Sequence, residues 1–192
     1  MHFEWEFTAT GNIYTTVTLD NSTNLTEWDL CVDIPEGWSV VDVIFPRVRL
    51  VKQGGMELIS PHNWGVRYEL DGISNFNHSS VYPSSQATVR MMTLNRNKNA
   101  LYFATHDKNA NMKTFTVQVS SANVILSVDI TPSESWNVNG EFSIPWTASL
   151  GVHLNGWESS AIDWYRPFAL STEWGKKTHQ QKKSPRWLLD TD

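Results

Sequence analysis

The chain has a single cysteine, Cys31, so no intrachain disulfide framework can hold it together. No stretch approaches the roughly eighteen consecutive apolar residues of a membrane-spanning helix. No basic segment followed by an apolar one opens the chain. Residues 2–8 alternate as a strand does from the outset, which predicts that Met1 is an added start codon on a domain cut from a longer polypeptide. A cationic surplus is also missing. The formal net charge is -5, which leaves no face-wide basic patch for nucleic acid. The common motifs of chemistry are absent as well: there is no Gly-rich phosphate loop, no Gly-x-Ser-x-Gly elbow and no paired-cysteine metal spacing. No repeat of about 20–50 residues marks a propeller or solenoid. Neither a membrane nor a nucleic-acid partner is expected.

What is present is a globular composition. Of 192 residues, 40% are hydrophobic and 18% charged, enough for one substantial core or two small ones. Ten tryptophans are the outlier. Indoles in surplus can stack on the apolar faces of sugar rings, or they can fill a large sandwich core with aromatic corners.

Alternation at period two recurs along most of the chain. It runs through Phe3, Trp5 and Phe7, then Ile13 to Leu19, Trp28 to Ile34 and Val41 to Phe45, with Pro46 ending or edging that strand. Further strands are predicted over 47–51, 57–59, 66–70, 87–94, 101–105, 113–119, 124–130 and 142–154. Polar turn clusters such as Asn95–Asn99, Asp107–Asn111 and Ser120–Asn123 separate them. Residues 71–86 carry no period and read as a long loop, a feature often tied to function. About a dozen strands with no helix between them exclude a parallel sheet. The fold expected is all-β, a large antiparallel β-sandwich.

One segment, Trp157–Trp174, has a helical period. Ala161, Ile162, Tyr165, Phe168 and Ala169 fall on one stripe, with Asn155 and Gly156 as N-terminal punctuation. The stripe predicts that these residues face the sandwich and that Trp164 and Trp174 face outward. Pro167 interrupts it, and an interior proline costs about 3 kcal/mol. A kink, or a second short helix beginning at Pro167, is expected. Beyond lies a basic run with Lys176, Lys177, Lys182, Lys183 and Arg186, which reads as a solvated linker. The expected organisation is therefore a sandwich over 1–155, then a helix and linker over 156–192.

Chemistry-bearing residues are scattered. His106-Asp107 is the most suggestive pair, lying where a strand meets a turn; Asp107 there suits an Asx turn equally well. His62, His78 and His153 make no metal set by spacing. A glycosidase needs two carboxylates about 5–10 Å apart. Glu57, Glu69, Asp71, Asp107, Asp129 and Glu158 are available, but sequence spacing pairs none of them.

Several blocks together carry a resemblance. Tyr82-Pro-Ser-Ser-Gln-Ala-Thr-Val-Arg-Met-Met-Thr-Leu is followed by Leu101-Tyr-Phe-Ala-Thr-His-Asp and Lys113-Thr-Phe. Val43-Ile-Phe-Pro-Arg and Leu58-Ile-Ser-Pro with Gly65 precede them; Gly156 to Ala169 and Ser184-Pro-Arg-Trp-Leu come after. In this order, over roughly residues 40–190, they resemble the N-terminal domain of glycoside hydrolases similar to α-galactosidase-like and endo-α-N-acetylgalactosaminidase-like enzymes. There, a galactose-mutarotase-like supersandwich precedes a (β/α)8 barrel. Trp164, Pro167 and Phe168 depart from the family's pattern and put the helix geometry in question.

The resemblance implies that the catalytic carboxylates sit on barrel strands, so no catalytic residue carries over to this chain. It implies a carbohydrate substrate for the parent enzyme and a catalytic barrel as partner in cis; localisation stays open, a secreted or periplasmic parent being compatible, and the residues themselves lead to no expected cofactor or metal. The sandwich loops would then wall one side of the sugar cleft, which makes Asn63, Trp64, His106, Asp107 and Lys113 the candidate substrate-binding positions. A stand-alone carbohydrate-binding module and an interaction sandwich without a ligand are the rival readings.

Overall fold

A computed structural model describes residues 2–6, 11–63, 65–133, 137–138 and 140–176. Most of these residues are in strands, and every strand pairing among them is antiparallel. The larger sheet begins with β1 (His2–Glu6), β2 (Asn12–Asp20) and β3 (Leu25–Asp33). The smaller sheet has four strands in the order β4 (Val43–Val51), β11 (Asn123–Ile130), β10 (Lys113–Ser120) and β7 (Asn75–Tyr82). The larger sheet continues from β3 through β14 (Thr147–His153), β9 (Asn99–His106), β8 (Met91–Arg96) and β5 (Met56–Ser60) to β6 (Val66–Glu69). Two short strands, β12 (Asn137–Val138) and β13 (Glu141–Ser143), extend it beside β3.

The two sheets pack face to face. Val117, Val119, Val124, Leu126, Val128 and Ile130 of the smaller sheet bury against Leu58, Met92, Leu94, Phe103 and Leu150 of the larger one. Central strand β9 is buried on both sides, which is why Leu101-Tyr-Phe-Ala reads as a continuous apolar run. Phe103 enters the sandwich core, while Tyr102 and Ala104 point the other way, beneath a helix. The result is an all-β sandwich with a helical layer on its outer face.

Two expectations need correction. Residues 71–86 are not a long loop, because β7 occupies Asn75–Tyr82 and pairs with β10 along its whole length. Its inward positions are Phe76, His78, Ser80 and Tyr82. Two of the four are polar, so the strand carries no hydrophobic period. The run 142–154 is likewise two strands, β13 and β14, interrupted at residues 144–146. Pro46 does lie on an edge strand, since β4 pairs only with β11 in its sheet.

The helical layer comprises α1 (Gly156–Ser160), a π-helical turn (Ala161–Tyr165) and α2 (Arg166–Ser171). The wider turn lets the Arg166 N–H reach the carbonyl of Ala161. Pro167 then falls in the first turn of α2, where its missing N–H leaves nothing unpaired.

The buried stripe is rotated from the one read in the sequence. Ile162 is 57% exposed, whereas Trp164 packs edge-on against Tyr102 at 5.4 Å and against His153 at 5.0 Å. The reason lies on β14. A Cβ at Gly151 would come within 2.8 Å of Leu25 Cδ2 and 3.2 Å of the Trp164 ring, so the missing side chain there leaves room for both. Trp174 is 41% exposed. Of the basic run, only Gly175 and Lys176 are described; the expectation for the linker lies otherwise outside the described residues.

Candidate functional site at the helix–sheet junction

The β9–β10 turn is built by one carboxylate. Asp107 accepts the N–H groups of Asn109 (2.9 Å) and Asn111 (2.6 Å) and the Asn111 side-chain amide (3.0 Å), an Asx turn reinforced at both oxygens. It also receives Lys113 Nζ at 2.6 Å, with both side chains fully buried. Lys113 Nζ lies 4.1 Å from the centre of the Trp146 ring, which adds a cation–π contact.

A second buried cation stands beside this pair. Arg90, 2% exposed, donates to the Asp107 carbonyl. Its guanidinium sits between the rings of Tyr82 (5.0 Å), Phe168 (5.0 Å) and Trp174 (4.8 Å). Two cations therefore meet Asp107, Lys113 at its carboxylate and Arg90 at its backbone carbonyl. Burial, with Arg90 adding to it, pulls the Lys113 ammonium down to about 8 against the support of Asp107.

His106 lies on the helix side of β9. Its Nε2 pairs with the Tyr102 hydroxyl (3.1 Å) and its Nδ1 with Ser149 Oγ (3.0 Å), while its ring stacks on Phe168 at 4.5 Å. Burial, then the Arg90 charge, lowers its pKa to about 4. The unfolded chain, with an ordinary value near 6.5, binds the proton more readily than the folded one between these values. His106 therefore contributes stability that is complete above pH 6.5 and is lost as pH falls through 4. Melting temperature measured across pH 4–7 is expected to fall on acidification. His106→Gln, which keeps a hydrogen-bonding side chain without a titrating ring, flattens that slope; an unchanged slope refutes the assignment.

Above this buried layer an open cleft of about 480 Å³ lies between the β5–β6 loop and the start of the helical layer. Ser60, Pro61, Gly65 and Arg67 form one wall, Thr88 and Val89 another, and Trp157, Glu158, Ala161 and Tyr165 the third. Tyr165 joins the two layers. Its ring lines the cleft, its hydroxyl accepts the Arg90 N–H at 3.2 Å, and its ring packs on Phe168.

The structure brings Asp107 and Lys113 together beside the core residues Tyr82 and Trp146 and places His106 next to them beneath Phe168 of the helical layer, none of the three lining the open cleft. Asn63 is exposed in the β5–β6 loop, with φ +51° and its N–H bonded to the Gln86 carbonyl at 2.7 Å. Trp64 lies outside the described residues. The sequence reading missed Arg90, Trp157 and Tyr165. An arginine inside the apolar run Val89–Met92 was the available signal for the first, since a buried charge demands a built environment.

The six carboxylates considered above are dispersed. Glu57 and Glu69 both hold Arg67, at 3.1 and 3.7 Å. Asp71 accepts the Gly55 N–H, and Asp129 binds the hydroxyls of Thr116 and Ser127. Glu158 alone of the six lines the cleft. His62 and His78 meet edge-on at 4.2 Å and share Ser80 Oγ, but among the described residues no group of three or more potential ligands gathers around a metal position.

No family model matches the chain. A protein of Bacteroides thetaiotaomicron carrying the name "Putative glycoside hydrolase" is 31% identical over 176 residues, covering 92% of this chain and 26% of that protein. The chain is thus related along nearly its whole length to a domain-sized part of that protein, and spans about a quarter of the relative's length.

Proposed function

We propose that the chain is a non-catalytic β-sandwich domain of a carbohydrate-active glycoside hydrolase, of galactose-mutarotase-like supersandwich type. It supports a catalytic (β/α)8 barrel that follows it and lines part of the sugar cleft. In this reading residues 1–155 are the sandwich, and residues 156–192 are the helix and linker leading to the barrel. The observation that carries the reading is the match to about a quarter of a longer protein bearing a glycoside hydrolase name. The placement of the carboxylates supports it: Asp107 is neutralised by Lys113, Glu57 and Glu69 are tied to Arg67, and Glu158 lacks a second carboxylate of the six across the cleft. His106, Asp107 and Lys113 act on the cleft through Arg90 and Tyr165, while Asn63 belongs to the β5–β6 loop and Trp64 remains a candidate for stacking on a sugar.

The test is direct. The 192-residue chain is expected to hydrolyse no aryl-glycoside above background. Turnover that disappears with a single carboxylate substitution, Glu158→Gln foremost, overturns the non-catalytic assignment. The rival reading, a stand-alone carbohydrate-binding module, draws on the aromatic walls of the cleft. Retardation of the chain on insoluble polysaccharide gels favours it, and unretarded folded protein favours the supporting role.

A further inference from the structure

We propose that the cleft between the β5–β6 loop and the helical layer is a binding subsite selective for an uncharged sugar ring. The proposal deepens the carbohydrate-active reading and rests on it. A volume of about 480 Å³ lies within the range of small-ligand sites, roughly 300–1,000 Å³. Two aromatic side chains, Trp157 and Tyr165, stand in its wall. Tyr165 is held in place by the Arg90 N–H and by Phe168, so its ring is presented without further ordering cost. Such rings take the apolar C–H face of a pyranose, while the hydroxyls at its edge need polar partners.

Those partners are present in Ser60, Thr88 and the carboxylate of Glu158. A purely apolar occupant would leave Thr88 and Glu158 unpaired, whereas Ser60 Oγ already accepts the His62 N–H at 3.3 Å. Charge narrows the choice. The Arg67 guanidinium is already engaged by Glu57 and Glu69, and Glu158 adds a further negative charge in the wall. With the Arg67 charge offset by the two carboxylates that hold it, the Glu158 carboxylate in the wall repels a uronic or sialic acid and leaves a neutral ring unaffected.

The experiment follows the Trp157 indole N–H resonance of the 192-residue chain during titration with methyl α-galactopyranoside, methyl α-glucopyranoside and galacturonate. At least one neutral glycoside is expected to shift it with a millimolar Kd, and galacturonate to bind about tenfold more weakly or not at all. Glu158→Gln, an exposed change that removes the charge but keeps a hydrogen-bonding side chain, narrows the gap between galacturonate and the neutral glycosides. In Trp157→Ala, followed by the remaining amide shifts around the cleft, neutral binding weakens by about tenfold or more. Galacturonate binding as well as the neutral glycosides, neutral binding unchanged in Trp157→Ala, or no shift with any sugar each overturns the proposal. If the parent enzyme cleaves glycosides while this cleft takes none, the subsite fails and the reading of the domain stands. A parent that neither cleaves nor binds glycans removes both.

Discussion

Asp107→Ala is expected to destabilise the chain by about 3–5 kcal/mol at pH 7, because it strands a buried cation. In the wild type, Asp107 is the carboxylate facing Lys113 at 2.6 Å, and a second cation, Arg90, lies against its backbone. Removing it leaves Lys113 and Arg90 in one apolar pocket, and also frees the N–H groups of Asn109 and Asn111 that it caps. The complementary change, Lys113→Met, removes the charge that burial penalises and leaves Asp107 with three other donors. It should cost less, because replacing an ion by a well-packed apolar group relieves desolvation. Chemical denaturation of both variants at pH 7 checks the order. A loss below about 1 kcal/mol for Asp107→Ala, or a larger loss for Lys113→Met, contradicts the account.

The pH dependence gives a second readout. Lys113 titrates near 8 in the folded chain and at an ordinary value of 10.5 when unfolded, so the unfolded chain holds the proton more tightly in this window. Its contribution to stability therefore rises from pH 8 towards 10.5. Without Asp107 the lysine sheds its proton more readily still. The gap between Asp107→Ala and wild type should accordingly narrow as pH rises above 8.

Trp164→Ser is expected to cost about 3–5 kcal/mol, and Ile162→Ser less than about 0.5 kcal/mol. The indole fills the space over Gly151 and packs on Tyr102 and His153, whereas Ile162 projects from the surface. Tyr165→Ala should also be damaging, since Tyr165 shares this buried face and bonds the Arg90 N–H. Thermal melts of the three variants suffice. Equal effects at 162 and 164 would place the helix in the rotation first read from the sequence.

The sandwich itself was legible because its cause is local. Alternation at period two through β10 and β11 buries one face of each strand, and polar turns separate them. β7 was not legible, because His78 and Ser80 occupy inward positions and conceal its period. The helix could be read as a helix, and the problem posed by Pro167 could be read as well. Its solution could not: a π-helical turn is selected by what the neighbouring turns must pack against.

The candidate site divides in the same way. His106 and Asp107 stood out as an ionisable pair at a strand–turn boundary, and Lys113 through the family resemblance; Asp107 and Lys113 meet in the fold, with His106 beside them. Whether such residues face solvent or the interior depends on what covers them, and the cover comes from Phe168 and Trp146, which are remote in sequence. Arg90 lies 17 residues from the backbone carbonyl it meets, and Tyr165 lies 75 residues from the Arg90 N–H it accepts. Composition and period fix which faces of strands and helices are apolar, since those are properties of neighbouring residues. Which apolar face meets which, and so which charges are sealed in and which cleft stays open, is decided by packing between segments. In this chain the bare backbone of Gly151 on β14 leaves room for both Leu25 and Trp164, an accommodation no local pattern announces.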